Sequence, residues 1–247
     1  MRAGAPLQLR RPRDIGALFG DGLGVYVGHF WTFLGLAAAI VVPAELIVSG
    51  VGLRQLSAPY EESPSAVEVA IPSIVSFLVI APLVTATCIY ALHAVAEERP
   101  PSAWRAITAG LDAFPPIFFA IVLAALGIAL GLVLLIVPGV YLAIRWFFLP
   151  QAVVIEEAHG AEALRRSGEV VQGFWWRTFG VVLAANLAAA VAGLLLLLPF
   201  EALARETDRE IFSLVATTVT ETLTGPFVAL VSTLLYYDLT TRRQRVA

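Results

Sequence analysis

The chain has 247 residues, 59% of them hydrophobic and only 14% charged, with a mean hydropathy of +0.83. A soluble domain carries about 25% charged residues, and a globule of this size leaves too much surface in water to hide so apolar a composition. Lipid must solvate much of it, while a net charge of −3 and a pI near 5.6 exclude the basic footprint of a nucleic-acid binder.

All 16 basic residues are Arg, and the single cysteine, Cys88, lies in an apolar run, which rules out an intramolecular disulfide and argues against a thiolate metal site. The basic start (Arg2, Arg10, Arg11, Arg13) before an apolar stretch has the outline of a signal peptide. That stretch, about Phe30 to Val48, is too long for an h-region and no A-x-A-like site follows, so it reads as an uncleaved first span.

A bilayer core takes roughly 20 apolar residues in helical form. Five runs meet this: 30–49, 71–95, 116–137, 174–199 and 211–237. A sixth, 140–155, is shorter, carries Arg145, and follows the third after only Pro138 and Gly139. That pair predicts a tight turn, because one helix over both runs would measure about 60 Å, twice the hydrocarbon thickness. The expected fold is an all-α polytopic membrane bundle of about six transmembrane helices, one transmembrane domain over residues 1–247.

Arginine placement predicts the orientation. With the N-terminus in the cytoplasm, the inner segments hold twelve arginines and the outer loops only Arg54, Arg205 and Arg209, with Arg145 left in the membrane. Glu61, Glu62, Glu68, Glu206, Asp208 and Glu210 gather in the outer loops, so both termini are expected to be cytoplasmic.

An offset of sixty residues aligns Ala103, Arg105, Phe114 and Phe119 with Ala163, Arg165, Phe174 and Phe179, and Val122–Ala125 with Val182–Ala185. Asp14–Leu34 is a looser third copy. The pattern predicts three hairpins, each introduced by an amphipathic helix on the inner surface, of which Ala161–Phe174 is the strongest case. Aromatic residues at the entries (Phe30 and Trp31; Phe114 and Phe118; Phe174, Trp175 and Trp176) suit interfacial anchoring.

The run Val137-Pro138-Gly139-Val140-Tyr141-Leu142-Ala143-Ile144-Arg145-Trp146 carries a family likeness. With it go Pro150, Val153–Glu156, Ala163–Ser167, Phe174-Trp175 and the closing Leu235-Tyr236-Tyr237-Asp238-Leu239 with Arg242 and Arg243. Together with the opening Arg13-Asp14-Ile15-Gly16 they resemble the glycerophosphoryl diester phosphodiesterase membrane domain and its bacterial multi-pass relatives of unknown function. The resemblance implies a topology and a place in the bacterial inner (plasma) membrane. No hydrolase domain accompanies it here, so it implies no activity.

Arg145 is the most informative single residue. A charge inside hydrocarbon costs between about 2.5 and 17 kcal/mol unless it is paired or hydrated. Glu45, near the outer end of the first span, lies at a similar depth; Glu221, among Thr217, Thr218, Thr220, Thr222 and Thr224, lies somewhat deeper. Arg145 is expected to pair with Glu45 or Glu221, either lining a polar cavity or fixing helix register. Arg105, Arg165, Arg166 and Arg177 are candidate contacts for anionic phospholipid headgroups.

His29, His93 and His159 form no metal-binding constellation, and no P-loop, GxGxxG or nucleophile-base set is present, so no cofactor, metal or catalytic residue is assigned. Three sets of small residues read as packing seams: Gly16, Gly20, Gly24 and Gly28; Gly127 and Gly131; Ala184, Ala188 and Ala192. Asn186 is expected to be buried in an interhelical hydrogen bond, and Pro43, Pro82 and Pro226 to kink their spans.

Two functions remain open. One is a non-enzymatic protein that organises the membrane or binds lipids or amphiphiles, with the bilayer as partner. The other is a small-solute transporter or channel using an Arg145/Glu221 site. The sequence assigns neither a ligand nor an oligomeric state.

Overall fold

A computed structural model describes residues 7–48, 66–209 and 211–246. These form ten α-helices and one π-helical turn, with no strand among the described residues. Expectations resting on Arg2, Arg54, Glu61, Glu62 and Glu210 fall outside them.

The chain opens with α1 (Ile15–Gly28), a short apolar helix capped by Asp14, whose carboxylate accepts the Ala17 N–H at 2.6 Å. The first span is α2 (Phe30–Val48). The second is built from α3 (Ala66–Val75), a π-helical turn (Ser76–Ile80) and α4 (Ala81–Ala96). Pro82 has no N–H to donate to the carbonyl four residues back, and the preceding Ala81 N–H reaches the Ser76 carbonyl five residues back, which widens the helix into a π turn there.

The third and fourth spans are α5 (Ala103–Leu134) and the broken pair α6 (Ile136–Arg145) and α7 (Leu149–Glu156). The amphipathic α8 (Ala161–Val171) leads to α9 (Trp175–Thr207), and α10 (Ile211–Val246) closes the bundle. Six stretches are long and apolar enough to cross a membrane: Phe30–Val48, Ala70–Ala96, Ala103–Leu134, Ile136–Glu156, Trp175–Thr207 and Ile211–Arg245. The protein is an all-α polytopic bundle.

Three sequence expectations need correction. The turn between the third and fourth spans falls at Leu135, which is extended, and not at Pro138-Gly139. Pro138 sits in the first turn of α6, where an amide N–H would have no intrahelical acceptor, so proline is tolerated. Gly139 serves the hairpin differently: a Cβ there would meet the Leu132 backbone nitrogen at 2.8 Å, and one on Gly131 would meet the Gly139 Cα at 3.1 Å. Gly127 likewise leaves room for the Trp146 ring, so the Gly127/Gly131 seam is used.

Second, the amphipathic segment before the third span is not a separate surface helix, because α5 runs unbroken through Pro115 and Pro116. Third, two seams are misplaced. A Cβ on Gly20 or Gly28 would meet nothing within 4 Å, whereas on Gly22 it would lie 2.9 Å from Val231 of α10. Ala184, Ala188 and Ala192 are exposed, and α9 turns Val181, Ala185 and Gly193 inward instead.

The centre of the bundle is α10, against which α1, α2, α4 and α9 pack. Its Leu230, Val231, Leu234, Leu235 and Leu239 are fully buried. Large apolar side chains such as Leu126, Leu130, Val133 and Leu195 point outward, as they should where the surrounding solvent is lipid. Arg13 and Asp238 meet at one end of the bundle, referred to below as the terminal end.

Candidate functional site

Between α4 and α9, over α10, the structure leaves a cleft of about 270 Å³. Its walls are apolar: Val41 of α2, Ile80 of the π turn, Val84 of α4, Ala189 of α9, and Val228 and Ala229 of α10. On the rim, Ala81 and Asn186 are exposed while Thr85 and Ala189 are half-buried, so the opening faces sideways at span mid-depth, where lipid tails lie. Three intrahelical prolines cluster here. Pro82 follows the π turn that carries Ser76, Pro226 directly follows the lining Gly225, and Pro43 lies two residues after Val41.

One charged side chain lines the cleft. Glu221 Oε1 accepts the Ser76 hydroxyl at 3.0 Å, while its Oε2 is buried with no hydrogen-bond partner. Glu45, one turn beyond Val41, is 6% exposed and near enough for its charge to act on Glu221. Among the described residues neither carboxylate takes part in an ion pair.

The other polar lining groups are turned to their own helices. Thr85 donates to the Ala81 carbonyl at 2.7 Å, Thr224 to Thr220 at 2.8 Å, and Asn186 to Val182 at 2.8 Å. Asn186 is therefore exposed at the cleft and bonded within its own helix, not buried between helices as the sequence suggested. Of the threonines around Glu221, Thr217 and Thr218 also bond back to their own helix. Thr220 and Thr222 have buried hydroxyls without partners.

The terminal end has the opposite character. Asp238 is fully buried and accepts the Arg13 N–H at 2.7 Å, Arg177 Nε at 3.0 Å and Arg242 Nε at 2.8 Å. Arg177 and Arg242 also donate to the Arg13 carbonyl, both at 2.7 Å. The Arg13 guanidinium donates to Asp21 at 2.9 Å and to the Leu9 and Gln8 carbonyls, and Arg11 adds a bond to Asp21 at 2.5 Å. Burial lowers the pKa of Arg13 and opposes ionisation of Asp21, but the hydrogen bonds from Arg13 and Arg11 hold Asp21 below its ordinary value.

The two residues before Asp238 tie down other elements. Tyr237 bonds His93 of α4 at 2.6 Å, and Tyr236 donates to Glu156 of α7 at 2.5 Å. Glu156 pairs with Arg166 of α8, which raises the Arg166 pKa. Each residue of the Tyr236-Tyr237-Asp238 run therefore fastens a different segment to α10. The i,i+4 spacing of Asp238 and Arg242 was the one local hint of this hub in the sequence.

Arg145 pairs with neither Glu45 nor Glu221. Its side chain is exposed and reaches the Tyr141 hydroxyl at 3.3 Å, its carbonyl accepts the Ser167 hydroxyl at 3.0 Å, and its guanidinium lies over Gly168 of α8. The reason lies in packing: α6 packs on α5, α8 and α9, away from the α2–α10 face that carries both acids. Arg145 sits against α8, while Tyr141 meets Trp175 at the start of α9. Beside it, Tyr141, Trp175 and Phe179 form a stack with ring centroids 6.1 and 5.4 Å apart.

Of the arginines considered for lipid headgroups, Arg177 belongs to the Asp238 network, Arg165 pairs with Glu162 and Glu169, and Arg166 with Glu156 and Glu169. Arg105 is exposed next to Trp104, which is 74% exposed. No group of three metal-ligating side chains occurs among the described residues.

No match was found among curated proteins or solved structures. The profile of an uncharacterised protein family, UPF0259, matches residues 58–228, a stretch that takes in the cleft walls on α4 and α9, the π turn, Glu221 and Arg145. The match covers more than half of the chain, and the protein belongs to that family.

Proposed function

We propose that this is a non-enzymatic membrane protein that binds an amphiphile in the cleft between α4 and α9. The observation that carries the reading is the sideways opening of an apolar-walled cavity with a single charged polar focus, Glu221 hydrogen-bonded to Ser76. A molecule with a chain and a polar end would enter such a cleft from the bilayer, its chain along Ile80, Val84 and Val228 and its polar end at Glu221. The volume of about 270 Å³ lies just under that of ordinary ligand pockets, about 300–1,000 Å³. It suits a headgroup and part of a chain.

Binding is favoured over catalysis by what surrounds Ser76. Acyl transfer needs donors aimed at a developing oxyanion, and the two threonine hydroxyls of the cleft and one N–H of Asn186 are spent on helix carbonyls. Transport is the second reading. It draws on the prolines at 43, 82 and 226 around the cleft, but an Arg145/Glu221 site is not assembled.

The arginine bias makes the terminal end the cytoplasmic face of a bacterial plasma membrane, with Arg105 and Trp104 in its headgroup layer. Kinship with the glycerophosphoryl diester phosphodiesterase membrane domain belongs to the same proposal. It rests on the Val137–Trp146 run and the Tyr236-Tyr237-Asp238 close, and agrees with a membrane role without adding chemistry.

The test is native mass spectrometry of protein extracted in mild detergent. Wild type is expected to carry a retained amphiphile that Ala189→Phe, a change on the cleft wall away from the charges, removes. The same adducts on both proteins would sink the reading.

A further inference from the structure

We infer that the amphiphile held in the cleft is a cation, an alkylammonium whose headgroup is the counter-charge to Glu221 and Glu45. The inference rests on the amphiphile reading above and adds the sign and hydrogen-bonding character of the polar end.

The hydrogen-bond inventory points first to a donor. Thr85 and Thr224 direct their hydroxyls to their own helices, Asn186 gives one of its two N–H groups to its own helix, and the Ser76 hydroxyl is spent on Glu221 Oε1. Glu221 Oε2 stays buried with no partner. A carboxylate is an acceptor and an ammonium is donor-only, so the two are complementary. An ammonium and a carboxylate also make a charge-assisted bond, stronger than a neutral one.

The charges point the same way. Acids inside a bundle are costly unless paired, yet no guanidinium or imidazole among the described residues bonds Glu45 or Glu221. This is not for lack of arginine. Asp238, in the same helix as Glu221, receives two guanidinium groups. Glu45 is 6% exposed and lies one turn beyond Val41 of the cleft wall, on α2, which packs against α10.

Other occupants fit less well. An anionic headgroup would be repelled by Glu221, and a neutral one would offer that carboxylate no counter-charge. A divalent metal ion takes six or more oxygen ligands for Ca²⁺, or a near-ideal octahedron for Mg²⁺, and no cluster of three acidic, His or Cys side chains exists among the described residues. A hydrated ion would have to enter past Ala81 and Ala189 at a rim facing lipid.

The test compares dodecylammonium, dodecanol and dodecanoate, each added to the full-length protein in nanodiscs of phosphatidylglycerol, a lipid without an ammonium group. Bound adducts are counted by native mass spectrometry. Wild type is expected to retain dodecylammonium at least tenfold better than dodecanol, and dodecanoate least. The preference should fall towards one in the Glu45→Gln/Glu221→Gln double variant, as retention of dodecylammonium drops to the level of dodecanol, while Ala189→Phe should lose both.

Phosphatidylethanolamine added in the same assay tells whether the ammonium arrives on a phospholipid or on a free amine; retention of either that depends on the two acids supports the inference. Equal retention of all three dodecyl compounds by wild type overturns the cationic assignment and leaves the amphiphile reading standing. Retention of none of the three removes the amphiphile reading itself. Should the double variant fail to assemble, the wild-type ranking and the single Glu221→Gln variant decide.

Discussion

Two acids on the same helix, Asp238 and Glu221, have opposite surroundings. Asp238 is fully enclosed and saturated, taking a backbone N–H and two guanidinium groups, while Arg13, 2% exposed, has its guanidinium bonded to Asp21 and three carbonyls. Glu221 lines a cleft, its Oε1 taking one hydroxyl donor and its Oε2 buried without a partner. Burial of a charge is tolerated only with compensation. The first site carries that compensation within the chain. The second leaves it to something else. The contrast separates a structural ionic site from a binding one more sharply than charge or depth does.

The comparison breaks most visibly at Asp238. Removing one partner of a buried ionic network costs about 3–5 kcal/mol, because the others stay buried without a counter-charge. Asp238→Asn is therefore expected to lower the thermal unfolding midpoint in detergent by many degrees, or to prevent assembly. A variant as stable as wild type would show that Arg13, Arg177 and Arg242 do not depend on it.

At Glu221 the expected sign is the reverse. Glu221→Gln keeps an oxygen to accept the Ser76 hydroxyl and removes an uncompensated charge, so the ligand-free protein should be as stable as wild type or more stable by about 1 kcal/mol. The readout is the same unfolding midpoint. A clear loss of stability would mean that Glu221 already has a counter-ion in the bundle, which would remove the basis of the cationic assignment.

Much of this arrangement was legible in the sequence, and the remainder was not, for physical reasons. Hydropathy located the six spans because the bilayer sets one length scale for all of them. It could not locate the α5–α6 turn, because Pro138 and Gly139 serve either a turn or a first helical turn pressed on a neighbour. The choice between them depends on Leu132 and Gly131, seven to eight residues away. Arg145, Glu45 and Glu221 stand out in the sequence as charges within apolar runs, yet position along a helix says nothing of which neighbours the helix takes. Arg145 and the two acids lie on different sides of the bundle. Ser76 became a cleft residue through the π turn before Pro82, a backbone feature that side-chain pattern does not encode. The closing Tyr236-Tyr237-Asp238 run stands out in the sequence, but its pattern does not give its role. Its three partners, Glu156, His93 and Arg13, come from three distant segments.

The smallest effect expected from the comparison concerns Asp21, at the edge of the saturated network and outside the spans. Burial opposes its charge, but the Arg13 and Arg11 hydrogen bonds outweigh burial and depress its pKa below 3.8. A carboxyl whose folded value is depressed contributes stability in full above its unfolded value, and loses it as pH falls through the folded one. The unfolding midpoint of wild type is therefore expected to be flat in this contribution from neutral pH to about pH 5, then to decline below about pH 4. Asp21→Asn should start lower at neutral pH, because Arg13 loses its partner, and should lack that part of the decline, so the two curves converge at low pH. Parallel curves across the range would assign the acid response to other carboxylates and leave Asp21 with a packing role only. Convergence would extend the rule drawn from Asp238 to the rim of the network: at this end of the bundle, the chain supplies the counter-charge for its own acids.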